Sequence, residues 1–520
     1  MDMQKLNQLY LLAEKRMNVG DFHGALSETR QMQSLGDNPI VSYMMSGMLI
    51  DIGSSLGDEN LIKEGIDLLE KDKDSLLSSQ KEAVKSTILY NLSNGYYGLF
   101  SIKYKKNQLV GYFKTSELNE ARAYLLEALK YESSGPDHSS QMWTNLGNCF
   151  DKFGRVVEAL ECFDNALTFY PNHGMAMANK GLALSYYARL AGDHVGTFLN
   201  EAYYLLSKAL ELGVIYESRA YFLSELKKIE NLFSDKEKIK SRPDFPGVEV
   251  EGDSDFERFL INYCLEKKLY LNICNVCQKC SAAIGDTLSI KSMLVKAKSM
   301  NVKSDPFLLL SSYLNQMKQD YVTARFLLIF SRYKGMNLDF VDKRVKIVDT
   351  YDFNIPNVYT QLARFAFKSF FDILDKEAIF INDYLRLEMG KSSVSFRNIW
   401  FSKKRIVRQK ILEIENFGLN AIFDIYGELE DGRYKKLRTI RNALTHRFFN
   451  VKPLCDDEDD ENMSEENFIN HTIELAKIVR SSLIYLMNFV YIEEQKRKKD
   501  LNGKYLTIPA YEFPDELKKF

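Results

Sequence analysis

The stretch "SQMWTNLGNCFDKFGRVVEALECFDNALTFYPN", beginning at Ser140, constrains this chain more tightly than any other. Trp143, Leu146, Gly147, Phe150, Gly154, Ala159, Phe163, Ala166 and Pro171 recur at helical spacings on two consecutive segments. Gly147, Ala159 and Ala166 are small enough to let two antiparallel helices approach closely. Trp143, Phe150 and Phe163 are placed to fill the space between them. Pro171 lacks a backbone N–H and stops the second helix. A helix pair of this kind cannot bury its apolar face alone, so it predicts neighbours of the same kind.

These spacings resemble the tetratricopeptide repeat (TPR), a helix–turn–helix of ~34 residues. Weaker copies flank it. "LYLLAEKRMNVGDFHGAL" offers Leu12, Ala13, Gly20 and Ala25, and "YMMSGMLI" with "EGIDLLEK" offers Gly47 and Gly65. "LYNLSNGYYGL" and "NEARAYLLEALKY" pair through Leu92, Tyr96, Ala121, Leu125 and Ala128. "MAMANKGLALSYY" and "NEAYYLLSKALEL" pair through Gly181, Ala202, Leu206 and Ala209. The reading is a TPR-like solenoid of roughly four to five irregular pairs, within a first domain at residues 1–232. Stacked pairs build a concave surface that binds a protein or peptide and carries no chemistry of its own. A generic helical array would have much the same shape.

"SRPDFPGVEVEGDSD" interrupts the helical pattern with Pro243, Pro246, Gly247 and Gly252. Helical periodicity resumes after it, so residues 233–346 read as a helical connector. Within it, "CNVCQKC" holds Cys274, Cys277 and Cys280, with Cys264 upstream. Thiolates at this spacing raise zinc or an iron–sulfur cluster. Zinc sites usually pair two separate knuckles, and no histidine lies near, so buried thiols packing as small apolar groups are preferred. No metal and no cofactor are expected.

The last third, residues 347–520, holds four long helical runs joined by short links. The first starts near Pro356, with an apolar stripe of Leu362, Phe365, Ala366, Phe370, Ile373, Leu374 and Ile381. "ENFGLNAIFDIYGEL" and "RYKKLRTIRNALTHRFF" follow. The fourth runs from about Glu465 to Lys499 with Ile469, Ile473, Ala476, Leu483, Met487 and Val490 on its apolar face. Four such helices predict a helical bundle, and the whole chain reads as all-α.

The third run carries the residues best suited to chemistry. Leu437, Ile440 and Leu444 face the core, so Arg438, Asn442 and His446 share the opposite face. Histidine exchanges protons near neutral pH. Arginine grips a phosphate through parallel hydrogen bonds and offsets charge as it builds. Asn442 can orient either group. Together they suit cleavage of RNA by its own 2′-hydroxyl, without a metal. Arg441 stands ~140° from His446 on a straight helix, so a bend or a second subunit is needed to bring both to one phosphate. The competing reading is a plain solvated helix face.

The segment "RNALTH", late in a helical bundle, resembles the signature of the HEPN superfamily. Its ribonuclease members carry arginine, then a polar residue, then histidine within about two turns. Arg441, Asn442 and His446 match that order. "INYCLEKKLYLN", "FKSFFDILDKEAIFINDYL", "SFRNIWF" and "IRNALTHRFF" extend the resemblance over about Asp255 to Lys499, to a bacterial HEPN subfamily that follows a TPR-like array. The cysteine triplet lies outside that pattern. The resemblance implies a C-terminal HEPN four-helix bundle and a toxin or anti-phage effector that cuts RNA, often tRNA. It also implies a homodimer through the last bundle, because HEPN nucleases build one site from two domains.

Lys403, Lys404 and Arg405 in "KKRIVRQK", with Lys435, Lys436, Arg438 and Arg447 around the motif, supply basic groups for RNA phosphates. The net charge is −2, so any basic surface is local. An acidic run, Asp456 to Glu461, follows His446 closely and is either a plain loop or a strand of charge that covers Arg438, Arg441 and Arg447. The opening "MDMQKLNQLY" has no apolar leader run, and "LIYLMNFVYI" falls short of the ~20 residues of a membrane span. The chain is therefore read as cytoplasmic, with reduced cysteines and no membrane partner. The alternative to a nuclease is a non-catalytic TPR–HEPN scaffold that binds RNA, nucleotide or protein.

Overall fold

The structure, a computed structural model, describes residues 2–104, 116–240, 250–274, 281–290, 292–296, 306–349, 351, 355–402, 406–453, 459–499, 505–509 and 513–518. Helices dominate it, and strands are short. It divides into two compact units, Met1–Ala188 with Gly196–Arg242, and Arg189–Val195 with Pro243–Phe520. Helices of twelve residues or more are numbered below.

The first unit is a run of helix pairs. They are α1 (Met3–Asn18) with α2 (Phe22–Gln33), α3 (Pro39–Leu56) with α4 (Glu59–Ser79), and α5 (Glu82–Tyr104) with α6 (Ser116–Ala128). Next come α7 (Pro136–Lys152) with α8 (Val156–Phe169), α9 (Gly174–Tyr187) with α10 (Val195–Leu212), and α11 (Tyr216–Glu230). Small residues set the approach within pairs. A Cβ on Gly147 would lie 2.5 Å from the Phe163 ring, and one on Gly65 would lie 2.8 Å from the Ser46 carbonyl oxygen. Gly181 meets the Ala202 carbonyl in the same way at 3.0 Å. Ala121, Leu125, Ala128, Ala159, Ala166, Leu206 and Ala209 are fully buried, as their spacing predicts. Trp143 is only half-buried, and Leu12 is exposed, so neither fills the core as expected.

The second unit opens with α12 (Asp255–Lys267) and continues with α13 (Pro306–Phe330), α14 (Val358–Leu385), α15 (Phe417–Glu430), α16 (Lys435–His446) and α17 (Glu465–Lys499). The four expected helices are α14 to α17. α13, expected in the connector, packs along α14 in the opposite direction. Tyr313 donates to Asp383 at 3.0 Å, and Lys376 bridges to Asp320 at 2.5 Å. α14 and α17 run parallel, with Phe367 stacked on Phe468 and Tyr384 donating to Glu494 at 2.7 Å. Asn416 caps α15 and anchors it to α17 by donating to the Phe489 carbonyl at 3.0 Å. Of the apolar stripe expected on α14, Phe365 is instead 57% exposed, while Ala366, Phe370, Ile373, Leu374 and Ile381 are buried.

α17 contains "LIYLMNFVYI" and runs over the range its periodicity predicts. By length and composition it could cross a membrane, but 83% of its apolar window is buried inside the protein. Burial by α14 and α15 accounts for that apolarity, as for the core helix of a helical bundle. Two short pairings complete the unit. Ser292–Lys296 pairs antiparallel with Tyr505–Pro509, and Asn450–Lys452 pairs parallel with Asn462–Ser464.

Candidate active site

α16 is a strongly two-sided helix. Leu437, Ile440, Ala443 and Leu444 are buried, while Lys435, Asn442, Thr445 and His446 are exposed. Its start is fixed by a tight turn after α15, where the Tyr434 amide donates to the Glu428 carbonyl at 2.9 Å. A Cβ on Gly432 would lie 2.7 Å from Glu428 Cα, so this turn leaves no room for a side chain there. Its end is fixed by Arg447, whose backbone is extended, and by the strand Asn450–Lys452. Phe449 is buried against Phe468 at the start of α17. The apolar side chains therefore pin both ends and leave Asn442 and His446 facing outward.

His446 is the last helical residue and stands exposed beside Arg447 and Phe448, the latter 92% exposed. Asn442 is exposed one turn before it. Arg441 is half-buried, and its Nη1 donates to Asn442 Oδ1 at 3.4 Å. Arg441 also acts on Asp372 of α14. Partial burial, with the nearby Asp375, raises the Asp372 carboxyl above its ordinary range, and the charges of Arg441 and Lys376 work against that rise. Arg441 thus looks toward α14 while His446 looks toward solvent.

The basic residues divide. Arg438 is held by Glu430 of α15 at 2.5 Å, and Arg397 reaches the same carboxylate oxygen at 3.4 Å. Lys436 donates to the Asp459 carbonyl at 3.0 Å and lies 3.5 Å from Asp460 Oδ1. So the described end of the acidic run meets Lys436, whereas Arg438 is engaged by Glu430. Lys435 and Arg447 are exposed. Lys403, Lys404 and Arg405 lie outside the described residues. Asp372, Glu430 and Arg397 were not singled out from sequence. The four-residue step from Asp372 to Lys376 on one helix was the available signal for the first of them.

Cys264 and Cys274 are buried, and burial pushes the Cys264 thiol up to about 12, as for a small apolar core group. Cys277 and Cys280 lie outside the described residues. Among the described residues, no three His, Cys, Asp or Glu side chains group in a way that could hold a metal ion.

Residues 303–493 match the family model described as LA2681-like HEPN, and residues 140–173 match the tetratricopeptide repeat model. The chain carries a TPR repeat followed by an HEPN domain. The HEPN match takes in α13 through most of α17, with the motif helix inside it. No curated protein matches the chain. Among solved structures the chain is similar to the MamA protein, at 19% identity over 42% of this chain and 95% of that one, with a TM-score of 0.25. It is also similar to the TPR2AB domain of yeast Sti1 in complex with pHSP90, at 13% identity over 45% of this chain and 98% of that one, with a TM-score of 0.17.

Proposed function

We propose that this TPR–HEPN protein is a metal-independent endoribonuclease of the toxin or anti-phage effector type, acting in the cytoplasm as a homodimer. One observation carries the reading. Asn442 and His446 stand exposed together at the outer end of α16, beside Arg441, where an incoming phosphate can reach them. In the proposed reaction His446 takes the proton of an RNA 2′-hydroxyl, whose oxygen attacks the adjacent phosphorus. The 5′-oxygen leaves and takes up a proton, and the phosphate closes to a 2′,3′-cyclic ester. Arg441 offsets the charge that builds on the phosphate oxygens, and Asn442 orients it. Lys435 and Arg447 hold flanking phosphates, of tRNA among other RNAs.

Within one chain Arg441 turns toward Asp372 and His446 toward solvent, so a second copy is proposed to complete the site. In a two-fold dimer the same surface meets itself, and two motif helices then share one cleft. The repeat array is proposed to bind a protein or peptide that controls the nuclease. A second reading, an RNA-binding scaffold without catalysis, is favoured by the contact of Arg441 with Asn442 and its pull toward α14. The two separate when purified protein is incubated with total RNA, with and without EDTA, and the ends are sequenced. Cleavage leaves 2′,3′-cyclic phosphate and 5′-hydroxyl ends and is indifferent to EDTA. RNA that is bound but left intact supports the scaffold.

A further inference from the structure

Two hydrogen-bonded asparagine pairs link α5 to α7 and α7 to α9, and their α7 members, Asn145 and Asn148, lie about one turn apart on one side of that helix. Asn145 of α7 donates through Nδ2 to Asn94 Oδ1 of α5 at 3.0 Å and to the Tyr90 hydroxyl at 3.2 Å. Asn179 of α9 donates through Nδ2 to Asn148 Oδ1 of α7 at 2.8 Å. Each bond uses the N–H side of one amide and the carbonyl side of the other. The Asn148–Asn179 pair therefore keeps an amide donor on Asn148 and a carbonyl acceptor on Asn179, while in the other pair Asn94 also hydrogen-bonds the Tyr90 hydroxyl and the Asn145 carbonyl remains as acceptor. A donor and an acceptor side by side match the peptide group of an extended chain, which offers one of each and lacks partners of its own.

The same side is acidic. Asp51 of α3 lies near Tyr10 and Tyr90, Glu14 lies near Tyr10, and Asp137 lies near Tyr90. Asp151 of α7 lies near Tyr221 of α11. Asp51 is exposed at the surface, and the partial loss of water around it pushes its carboxyl up to about 6. α3 has no lysine or arginine along its length. Lys180 of α9 is bridged to Asp164 at 2.5 Å, and Lys228 of α11 to Glu225 at 2.6 Å. Lys152 stands beside Asp151. Among the described residues, Asp51 forms no ion pair.

We propose that this face binds an extended peptide segment rich in lysine or arginine, its backbone held by the asparagine pairs and its cationic side chains by Asp51 and Asp151. The proposal rests on the reading that the repeat array binds a protein or peptide, and it names that partner's chemistry. Tyrosines Tyr10, Tyr90 and Tyr221 add faces on which a cation can lie.

The test is a selection of random phage-displayed dodecapeptides on the full-length protein, followed by fluorescence anisotropy of the winning sequences. The selected pool is expected to be enriched in lysine and arginine. Winners should bind about tenfold more weakly to an Asp51→Asn, Asp151→Asn double variant and should weaken with added salt. Asn145→Ala should weaken them too, with the far-ultraviolet circular dichroism of each variant matching the parent. A neutral or acidic pool whose binding is lost in Asn145→Ala overturns the cationic assignment and keeps the peptide-binding reading. Winners indifferent to all three substitutions overturn the assignment of this face. A selection that yields no binder overturns both.

Discussion

Glu377 lies buried in the middle of α14, where Ser482 of α17 donates to its Oε2 and its Oε1 meets no partner among the described residues. Loss of water pushes its carboxyl up to about 8, and the Ser482 contact only partly opposes this. The folded chain therefore keeps a proton through a window in which the unfolded chain has released it, from the ordinary carboxyl range to about 8. Stability must fall as pH rises through that window, and the slope fades above it. Glu377→Gln, which cannot ionise, should melt with a weaker loss over the same range, the two proteins diverging by on the order of 1 kcal/mol per pH unit at the steepest. Identical melting-against-pH curves would refute the buried proton. Residues of the candidate site were readable from sequence where they share one helix. Asn442 and His446 lie four residues apart, so spacing grouped them with Arg438 on one face, whereas Arg441 stands off that face and joined them only through the resemblance to HEPN ribonucleases. Glu430, Arg397 and Asp372 were not readable, because each acts from another helix and only packing brings it to α16.

At the scale of elements, the motif helix is held through α15, and α15 is held by its close seat on α17. A Cβ on Gly418 would lie 2.6 Å from the Tyr485 carbonyl oxygen and 2.8 Å from Phe489 Cα. These are backbone atoms of a long buried helix and cannot swing aside. Gly418→Ala should therefore destabilise the second unit by about 1–3 kcal/mol, as overpacked cores do. Thermal melting measures it, and an unchanged midpoint would contradict the seat described. The helices themselves were largely visible in the sequence, since apolar spacing marks them, whereas the caps Asn38, Asn357 and Asn416 were seen only in the structure. For α13 the sequence names no packing partner, for a physical reason. Its apolar residues run round the helix, with Leu310, Leu314, Tyr321 and Leu328 buried and Leu308, Leu309 and Phe326 exposed, so no single stripe tells which side has a neighbour. Phe365 shows the same limit on α14, where spacing marks a broad apolar face but not its edge.

For the whole molecule, the proposed function requires two chains. Light scattering of the purified protein should give twice the 60.2 kDa of one chain. A strict monomer that still cuts RNA would refute the shared site. The central claim is that the outward-facing motif of α16 performs the cleavage, and His446→Ala tests it most directly. His446 is exposed, so its removal leaves the core intact. The assay compares rates of RNA cleavage by wild-type protein and His446→Ala at matched concentration, with circular dichroism and light scattering run on both. The variant should keep the same fold and the same mass and cut RNA at a rate lower by a factor of about 10²–10⁴, the usual contribution of a proton-transferring side chain. Cleavage by His446→Ala at the wild-type rate would contradict the central claim.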